Sequence, residues 1–425
     1  MSADALRIAG FLDPRRALSF FEELPGGAEV WAGDLGASAD PDQALLAAIR
    51  LHEADSGLVR RLADDPASRR RVCAVLGGSQ WLGDYVIADP ARAVSIWEDP
   101  GQSRQVLLES VGATRTGGGA CVASEGVNAD DLRAAYRRVL LYLAADDLTS
   151  EDPEALMPEV GRRIADLVDA TLEAGLALAR RDIDPQGQTP FAIIAMGKTG
   201  ARELNYISDV DVVYVVGPAH EPQGAHEPIS EEHLVEVGTH LATELAHVVS
   251  ATAPEPPLWP LDTALRPEGK DGALVRTLDS HLAYYRRWAA SWEFQALLKA
   301  RACAGDAELG ARFTALVDVF RYPRGGLDAD AVREVRRMKA RVETERIPRG
   351  IDPQRHLKLG RGGLADVEWT GQLLQLQHAG DHPRLRTTST LDALTAAADV
   401  GLVTADQADR LSCAWDLASR LRDLN

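Results

Sequence analysis

The sequence contains little cysteine and no long apolar run, and each absence excludes a class of protein. The four cysteines are scattered without a Cys-x-x-Cys pair, which excludes a disulfide framework and a zinc site of closely spaced thiolates. No apolar run approaches the roughly 20 residues of a membrane-spanning helix. The amino terminus has no basic segment followed by an apolar one, so we expect no signal peptide and a cytoplasmic protein without a membrane partner.

Positive charge is also scarce. The net charge is −18, and only five lysines accompany 41 arginines, with none before Lys198. An acidic surface repels phosphate backbones, so we expect no nucleic-acid partner and only a small nucleotide whose charge is screened by metal. Lysine offers a compact point charge, and its confinement to the second half favours that half as the site of chemistry. A compositional bias of the genome is an alternative explanation for the scarcity of lysine.

The length of 425 residues predicts two or three domains. Apolar residues recur at three- and four-residue spacing through residues 1–112, which predicts helices. Asp40 and Asp89, each followed by proline, are typical N-caps, and the glycine-rich residues 113–128 are interpreted as a linker. The remaining predictions are, in chain order, helices over 129–148 and 152–181, strands over 190–196 and 211–216, a polar turn over 217–229, a helix capped by Ser230, a strand over 258–265, a helix over 279–303 and mostly helical chain over 306–425.

These elements predict an α+β fold that is mostly helical, with a small mixed sheet flanked by helical domains. We divide the chain into an N-terminal helical domain with its linker (1–128), a catalytic domain (129–320) and a C-terminal helical domain (321–425). The sequence ends on SRLRDLN without a helix terminator, so we expect the chain to continue in a longer polypeptide.

Two aspartates stand at the start of the second predicted strand. Asp209 and Asp211 are two residues apart, so their side chains point to one face, and Asp262 in the next apolar run is a candidate third carboxylate. Such carboxylates suit Mg²⁺, which completes its shell with water and phosphate oxygens. Gly197 ends the first strand, twelve residues before Asp209, and a backbone without Cβ can approach a phosphate closely. The alternative is an ordinary strand–turn–helix with aspartates that cap a loop.

The stretch GKTGARELNYISDVDVVYVV resembles a motif of the glutamine synthetase adenylyltransferase family, within the nucleotidyltransferase superfamily, whose core resembles the palm of DNA polymerase β. Further similar blocks are SQWLGDYVIADP, PLDTALRPEGKDGALV, WEFQALLKARACAGD, MKARVETER and LKLGRGGLADVEWTGQLLQLQHAG, and the resemblance covers most of residues 75–425. It implies that Asp209, Asp211 and Asp262 hold two Mg²⁺ or Mn²⁺ ions and act in catalysis. It implies nucleotide or phosphate contacts at Gly197, Lys198, Ser208 and Arg266.

The same resemblance implies a reaction. Members of the family have one half that removes AMP from a tyrosine of glutamine synthetase by phosphorolysis, giving ADP, and a second half that adds AMP from ATP. The letters ELN after the glycine turn are similar to the removing half. We therefore expect an adenylyl-removing enzyme whose partners are glutamine synthetase, a second catalytic half of the same polypeptide and, as a further candidate, a PII-type signal protein. ATP-dependent adenylylation and a non-catalytic docking module remain alternatives.

Phosphorolysis requires inorganic phosphate, and the segment LKLGRGGLADVEW is a candidate site for it. Lys358, Arg361 and three glycines precede a helix that is predicted to begin near Leu364. Free amides and the helix dipole favour an anion at a helix N-terminus. An ordinary glycine-rich helix entry with a solvated arginine is an equally good interpretation. Asp366 and Glu368 in the first turn are expected to be caps or salt-bridge partners, and one of them could orient phosphate or a metal-bound water.

Overall fold

The computed structural model describes residues 1–218, 230–345, 347, 350, 352 and 355–423. Most of these residues are helical, which confirms the predicted α+β, mostly helical class. Residues 219–229, which make up most of the predicted turn over 217–229, lie outside the described residues. No helix in the described part of the chain is long and apolar enough to cross a membrane.

The helices agree with the predicted ones over residues 1–112, 129–148 and 152–181, and again over most of the chain after 306. In chain order they are α1 Ala3–Ile8, α2 Pro14–Phe21, α3 Gly27–Gly36, α4 Pro41–Ala54, α5 Ser56–Asp64, α6 Pro66–Gly78, α7 Gln80–Ala88, α8 Ser103–Ser110, α9 Ala129–Leu148, α10 Pro153–Ile183, α11 Gly197–Ala201, α12 Glu231–Ser250, α13 Leu278–Arg287, α14 Ser291–Leu297, α15 Ala307–Arg321, α16 Ala329–Glu345, α17 Leu364–His378, α18 Thr390–Asp399 and α19 Ala405–Asp423, with short 3₁₀ helices at Pro90–Ile96, Gly269–Asp271 and Pro383–Leu385.

The described chain separates into two compact units. The first, which we call the N-terminal unit, contains Met1–Ser103 and Ala135–Leu156, and the second, the sheet unit, contains Arg104–Ala134 and Met157–Asp423. Aspartate caps are confirmed in the N-terminal unit, where Asp40 Oδ1 accepts a hydrogen bond from the Gln43 amide at 2.9 Å. The division into domains 1–128, 129–320 and 321–425 stays a prediction.

The sheet unit contains a hairpin and a mixed five-stranded sheet. The strands are β1 Thr114–Arg115 and β2 Cys121–Val122 in the hairpin, and β3 Phe191–Ala195, β4 Val210–Val216, β5 Leu261–Asp262, β6 Val275–Thr277 and β7 Arg301–Gly305 in the sheet. Strand β3 is antiparallel to both β4 and β7, whereas β5 and β6 run parallel to β4. The two central strands confirm the predictions over 190–196 and 211–216.

Three predicted segments differ in part from the structure. The run over 258–265 forms only the two-residue strand β5. The helix predicted over 279–303 ends before Arg301, where β7 begins as an edge strand. The segment 113–128 contains the β1–β2 hairpin as well as irregular chain. The two-residue strands β1, β2 and β5 are too short to carry the alternation that identifies a strand in sequence.

The central strands are covered by helices on both faces, and this fixes which side chains are buried. Ala192 and Ile194 of β3 and Val213 of β4 belong to a core that includes Leu278 of α13 and Phe313 of α15. On the other face, α12 packs through a glycine: a Cβ on Gly238 would lie 2.5 Å from Val216 Cγ1. Odd-numbered residues of β4, and therefore Asp211, share the face of the α13–α15 core.

A buried ion pair joins the sheet to the chain that enters α18. Lys299 is 3% exposed, and its Nζ donates hydrogen bonds to the Thr388 carbonyl at 2.9 Å and to Thr390 Oγ1 at 2.8 Å. The Glu203 carboxylate lies 3.5 Å from the same nitrogen and accepts a hydrogen bond from Thr390 Oγ1 at 2.8 Å. The chain just after α11 is therefore held against α18.

Replacing Lys299 by methionine should destabilise the protein strongly, because the buried Glu203 carboxylate would lose its counter-charge. Breaking a buried ion pair on one side costs about 3–5 kcal/mol. Urea unfolding followed by circular dichroism should show this loss for Lys299→Met. The double variant Lys299→Met/Glu203→Gln should recover most of it, and a single variant as stable as the parent would contradict the assignment.

Candidate functional site

The glycine turn between β3 and α11 lies directly against the aspartate strand. Gly197 has φ +51°, and a Cβ built on it would lie 2.4 Å from Asp211 Oδ2. The Met196 amide donates a hydrogen bond to the Asp211 carbonyl at 2.9 Å. Glycine is therefore required at position 197 both for its backbone conformation and for the space that the Asp211 carboxylate occupies.

Arg301 holds the other end of this turn. Its guanidinium makes two bonds to the Asp169 carboxylate, at 2.7 and 3.0 Å. It also donates to the carbonyls of Gly200 and Thr199, each at 3.1 Å. The sequence interpretation included Arg301 in a similar block but gave it no role. The only sequence signal for Arg301 was its position directly after the buried segment that contains Lys299. The strand β7, which Arg301 begins, was not predicted from the sequence.

The structure brings the three predicted carboxylates to one edge of the sheet. Asp209 is exposed and immediately precedes β4, whereas Asp211 is half-buried within it. Asp262 is exposed on β5 and stands beside Asp211 in the parallel register, and its Oδ1 accepts a hydrogen bond from the Ala264 amide at 2.8 Å. Directly paired residues on neighbouring strands point to one face, so the side chains of Asp211 and Asp262 share one face of the sheet.

The negative charges of Asp209 and Asp262 affect the pKa of Asp211. Burial, with the negative charges of Asp262 and Asp209, raises the pKa of Asp211 to about 7, and Glu368 adds to the rise while Lys358 opposes it. A half-buried carboxylate among like charges is destabilised in its ionised form unless a cation compensates for it. This donor set fits Mg²⁺ or Mn²⁺, which prefer carboxylate oxygens. Within the described ranges, however, no three His, Cys, Asp or Glu side chains form a ready metal-binding group.

Lys198 directly follows Gly197 in α11. Its amine donates a hydrogen bond to Asn205 Oδ1 at 2.5 Å and lies 5.4 Å from the centre of the Trp415 ring. Burial, with the nearby charge of Arg422, lowers the pKa of Lys198 to about 8, so the amine is still mostly protonated at neutral pH. Ser208, predicted to contact phosphate, accepts a hydrogen bond from the Asn205 amide through its Oγ at 3.1 Å.

Arg266 is bonded within its own loop. Its guanidinium donates to the carbonyls of Thr263 and Lys270, each at 2.9 Å, and to that of Gly272 at 3.1 Å. These bonds give Arg266 a role in shaping the loop after Asp262. The nucleotide contact that the sequence suggested for it stays a prediction.

The predicted phosphate segment lies before α17. Lys358 and Arg361 are both exposed, and the charge of Lys358 acts on Asp211. Asp366 accepts a hydrogen bond from the Gly362 amide at 2.7 Å and pairs with the Lys339 amine, which confirms it as a cap and salt-bridge partner. Glu368 Oε1 accepts a hydrogen bond from Gln372 at 3.1 Å.

The raised pKa of Asp211 predicts that divalent cations stabilise the protein in a pH-dependent way. The folded protein holds this proton more tightly than the unfolded chain, so the metal-free protein gains stability from Asp211 at low pH and loses it as the pH rises through about 7. A cation must displace the proton. Mg²⁺ or Mn²⁺ should therefore raise the melting temperature by a few degrees at pH 8 and by much less at pH 5.5.

Differential scanning fluorimetry with and without the cation measures this effect. Asp279→Asn, at an exposed first-turn position of α13, is the matched control and should keep the pH dependence. An equal shift at both pH values would show that the cation does not compete with a proton on Asp211.

The chain is similar in sequence to known protein families. Residues 69–316 match the family model described as glutamate-ammonia ligase adenylyltransferase, which is more than half of the 425 residues. The chain therefore belongs to this family. Residues 334–424 also match a model described as GlnD PII-uridylyltransferase.

Individual relatives carry a single description, bifunctional glutamine synthetase adenylyltransferase/adenylyl-removing enzyme. The protein of Streptomyces avermitilis is 40% identical over 97% of this chain and 43% of its own length. That of Mycobacterium marinum is 43% identical over 92% of this chain and 39% of its own length. That of Nocardia farcinica is 37% identical over the whole of this chain and 44% of its own length. The chain thus spans less than half the length of these relatives.

Proposed function

We propose that this chain removes AMP from an adenylylated tyrosine of glutamine synthetase by phosphorolysis and releases ADP. The observation that carries the proposal is the cluster of Asp209, Asp211 and Asp262 beside the glycine turn at Gly197. The names of the relatives support the adenylyl group as the unit transferred. The resemblance of the ELN segment to the removing half supports the direction.

The carboxylates would hold two divalent cations, and their shared face and mutual charge support this role. When bound, such ions activate an attacking phosphate oxygen and stabilise the leaving tyrosinate. An oxygen of inorganic phosphate forms a bond to the phosphorus of AMP while the bond to the tyrosyl oxygen breaks. The tyrosinate takes the proton that the attacking hydrogen phosphate gives up, so that ADP and the unmodified tyrosine side chain of glutamine synthetase result.

The remaining side chains bind and orient the substrates. The Lys198 amine offers a positive charge to the phosphate of AMP, and Gly197 leaves room for the Asp211 carboxylate. Ser208 is placed one residue before Asp209 and can contact the same phosphate. Lys358 and Arg361, both exposed before α17, hold the incoming inorganic phosphate.

The proposed partners follow from the same assignment. Glutamine synthetase supplies the adenylylated tyrosine, and a second catalytic half of a longer polypeptide carries out the opposite reaction. The match of residues 334–424 to a PII-uridylyltransferase model supports a PII-type signal protein as a regulator.

The proposal is tested by mixing the chain with adenylylated glutamine synthetase, inorganic phosphate and Mg²⁺. We expect release of ADP and recovery of glutamine synthetase activity, with no ADP when phosphate is omitted. Consumption of ATP on unmodified glutamine synthetase, without ADP release from the adenylylated form, would instead identify an adenylylating enzyme. Binding to glutamine synthetase without either reaction would identify a docking module.

A further inference from the structure

The loop that precedes the aspartates is attached to the last helix, α19. The Tyr206 amide donates a hydrogen bond to the Asp423 carboxylate at 3.1 Å. The Ile207 carbonyl accepts one from the Arg422 guanidinium at 3.3 Å. Two consecutive residues of the loop that leads to Asp209 thus depend on side chains of a helix more than 200 positions later in the chain.

Asn205 is the innermost residue of this attachment and is 2% exposed. Its Nδ2 donates a hydrogen bond to the Ser419 carbonyl of α19 at 3.2 Å. Its Oδ1 accepts one from the Lys198 amine at 2.5 Å, and its backbone amide donates to Ser208 Oγ at 3.1 Å. The side-chain amide of Asn205 therefore bonds to α19 through its nitrogen and to Lys198 through its oxygen.

We infer that Asn205 is a positioning residue, which fixes the amine of Lys198, the residue after Gly197 in the glycine turn, by bridging it to α19. The inference deepens the proposed function and rests on it, because it assigns Lys198 to the phosphate of the transferred AMP. Lys198 sits on a five-residue helix, and its long side chain has many rotamers to lose. The Lys198 amine also contacts the ring of Trp415. Because Trp415 lies on α19 as well, this contact further restricts the position of the amine.

The chemistry of an amide suits this role better than that of a carboxylate. A neutral oxygen can hold the ammonium group and leave its charge available to a phosphate, whereas a carboxylate at 205 would neutralise it. Other charged groups act on Lys198 as well: Arg422 and Lys358 are the cations, and Glu368 and Glu203 are the anions. Asn205 adds no charge to this set.

A double-mutant cycle on Asn205 and Lys198 tests the inference. Binding of AMP in the presence of Mg²⁺ is measured by calorimetry, and ADP release gives kcat and KM for adenylylated glutamine synthetase. Lys198→Ala should weaken AMP binding by at least about tenfold, the usual effect of losing a hydrogen bond to a charged group. Asn205→Ala should weaken it by about three- to tenfold and lower kcat, while KM for the protein substrate stays within about twofold. In the Lys198→Ala background, Asn205→Ala should cost less than about twofold.

Asn128→Ala is the matched control, since it removes another asparagine whose Oδ1 holds a backbone amide, that of Asp130 at 2.7 Å. It should change the melting temperature without weakening AMP binding. If Asn205→Ala does not fold, Asn205→Asp takes its place: it is nearly the same size, and it should weaken AMP binding only while Lys198 is present.

Equal losses from the change at 205 with and without Lys198 would overturn the inference, because Asn205 would then act on its own. The same coupling in AMP binding, without ADP release by the parent chain, would refute the proposed reaction and leave the positioning role in place. A parent chain that does not bind AMP would overturn both.

Discussion

Asp211→Asn is expected to reduce ADP release by about a hundred- to thousandfold without harming the fold. Losing one preorganised electrostatic group at a reacting centre typically costs a factor of about 10²–10³, and this carboxylate is the half-buried member of the proposed metal-binding set. Asp209, just before β4, and Asp262 on β5 cannot replace it, because both already belong to the same proposed metal-binding set. The fall should be in kcat, with little change in binding of the protein substrate.

The same substitution should leave the metal-free protein as stable as the parent at pH 8, or more stable. Burial and the charges of Asp262 and Asp209 raise the pKa of Asp211 to about 7, which means that its ionised form is unfavourable in the folded state. An amide of the same shape removes that repulsion. The melting temperature without metal should therefore not fall, and the stabilisation by Mg²⁺ at pH 8 should be lost.

Asp279→Asn serves again as the control, since it removes an exposed carboxylate from the same unit and should leave kcat unchanged. Full activity in Asp211→Asn would refute a catalytic role for the cluster. A large loss of stability in the same variant would show that Asp211 is chiefly structural.

Gly200→Ala is expected to destabilise the protein by more than about 4 kcal/mol, or to prevent folding. A Cβ at this position would lie 1.8 Å from the Lys299 carbonyl oxygen and 2.6 Å from that of Ala195. Both atoms belong to the backbone, so neither can move aside as a flexible side chain would. Overpacking on this scale belongs to the small class of substitutions with extreme effects on stability.

Gly117→Ala is the matched control for this variant. A Cβ there would meet no atom within 4 Å, so the substitution should change the free energy of unfolding by less than about 0.5 kcal/mol. Urea unfolding of the two variants and the parent makes the comparison. A stable Gly200→Ala protein would mean that α11 and the chain around Lys299 are not packed as closely as described.

The sequence by itself determined the elements whose signal is local. The helix periods of residues 1–112, the Asp-Pro cap at Asp40 and the apolar runs of β3 and β4 each depend on neighbours within a few positions. The spacing of Asp209 and Asp211 predicted a common face for the same reason. The order of glycine turn, paired aspartates and a later aspartate was likewise readable without coordinates.

Tertiary structure alone decided how these pieces meet. The register that sets Asp262 beside Asp211 joins residues about fifty positions apart, and the two-residue strand β5 carries no pattern of its own. Arg301 on the glycine turn and Asn205 between Lys198 and α19 are contacts between distant segments. Such contacts arise from packing and hydrogen bonding across the fold, for which spacing along one chain gives no signal.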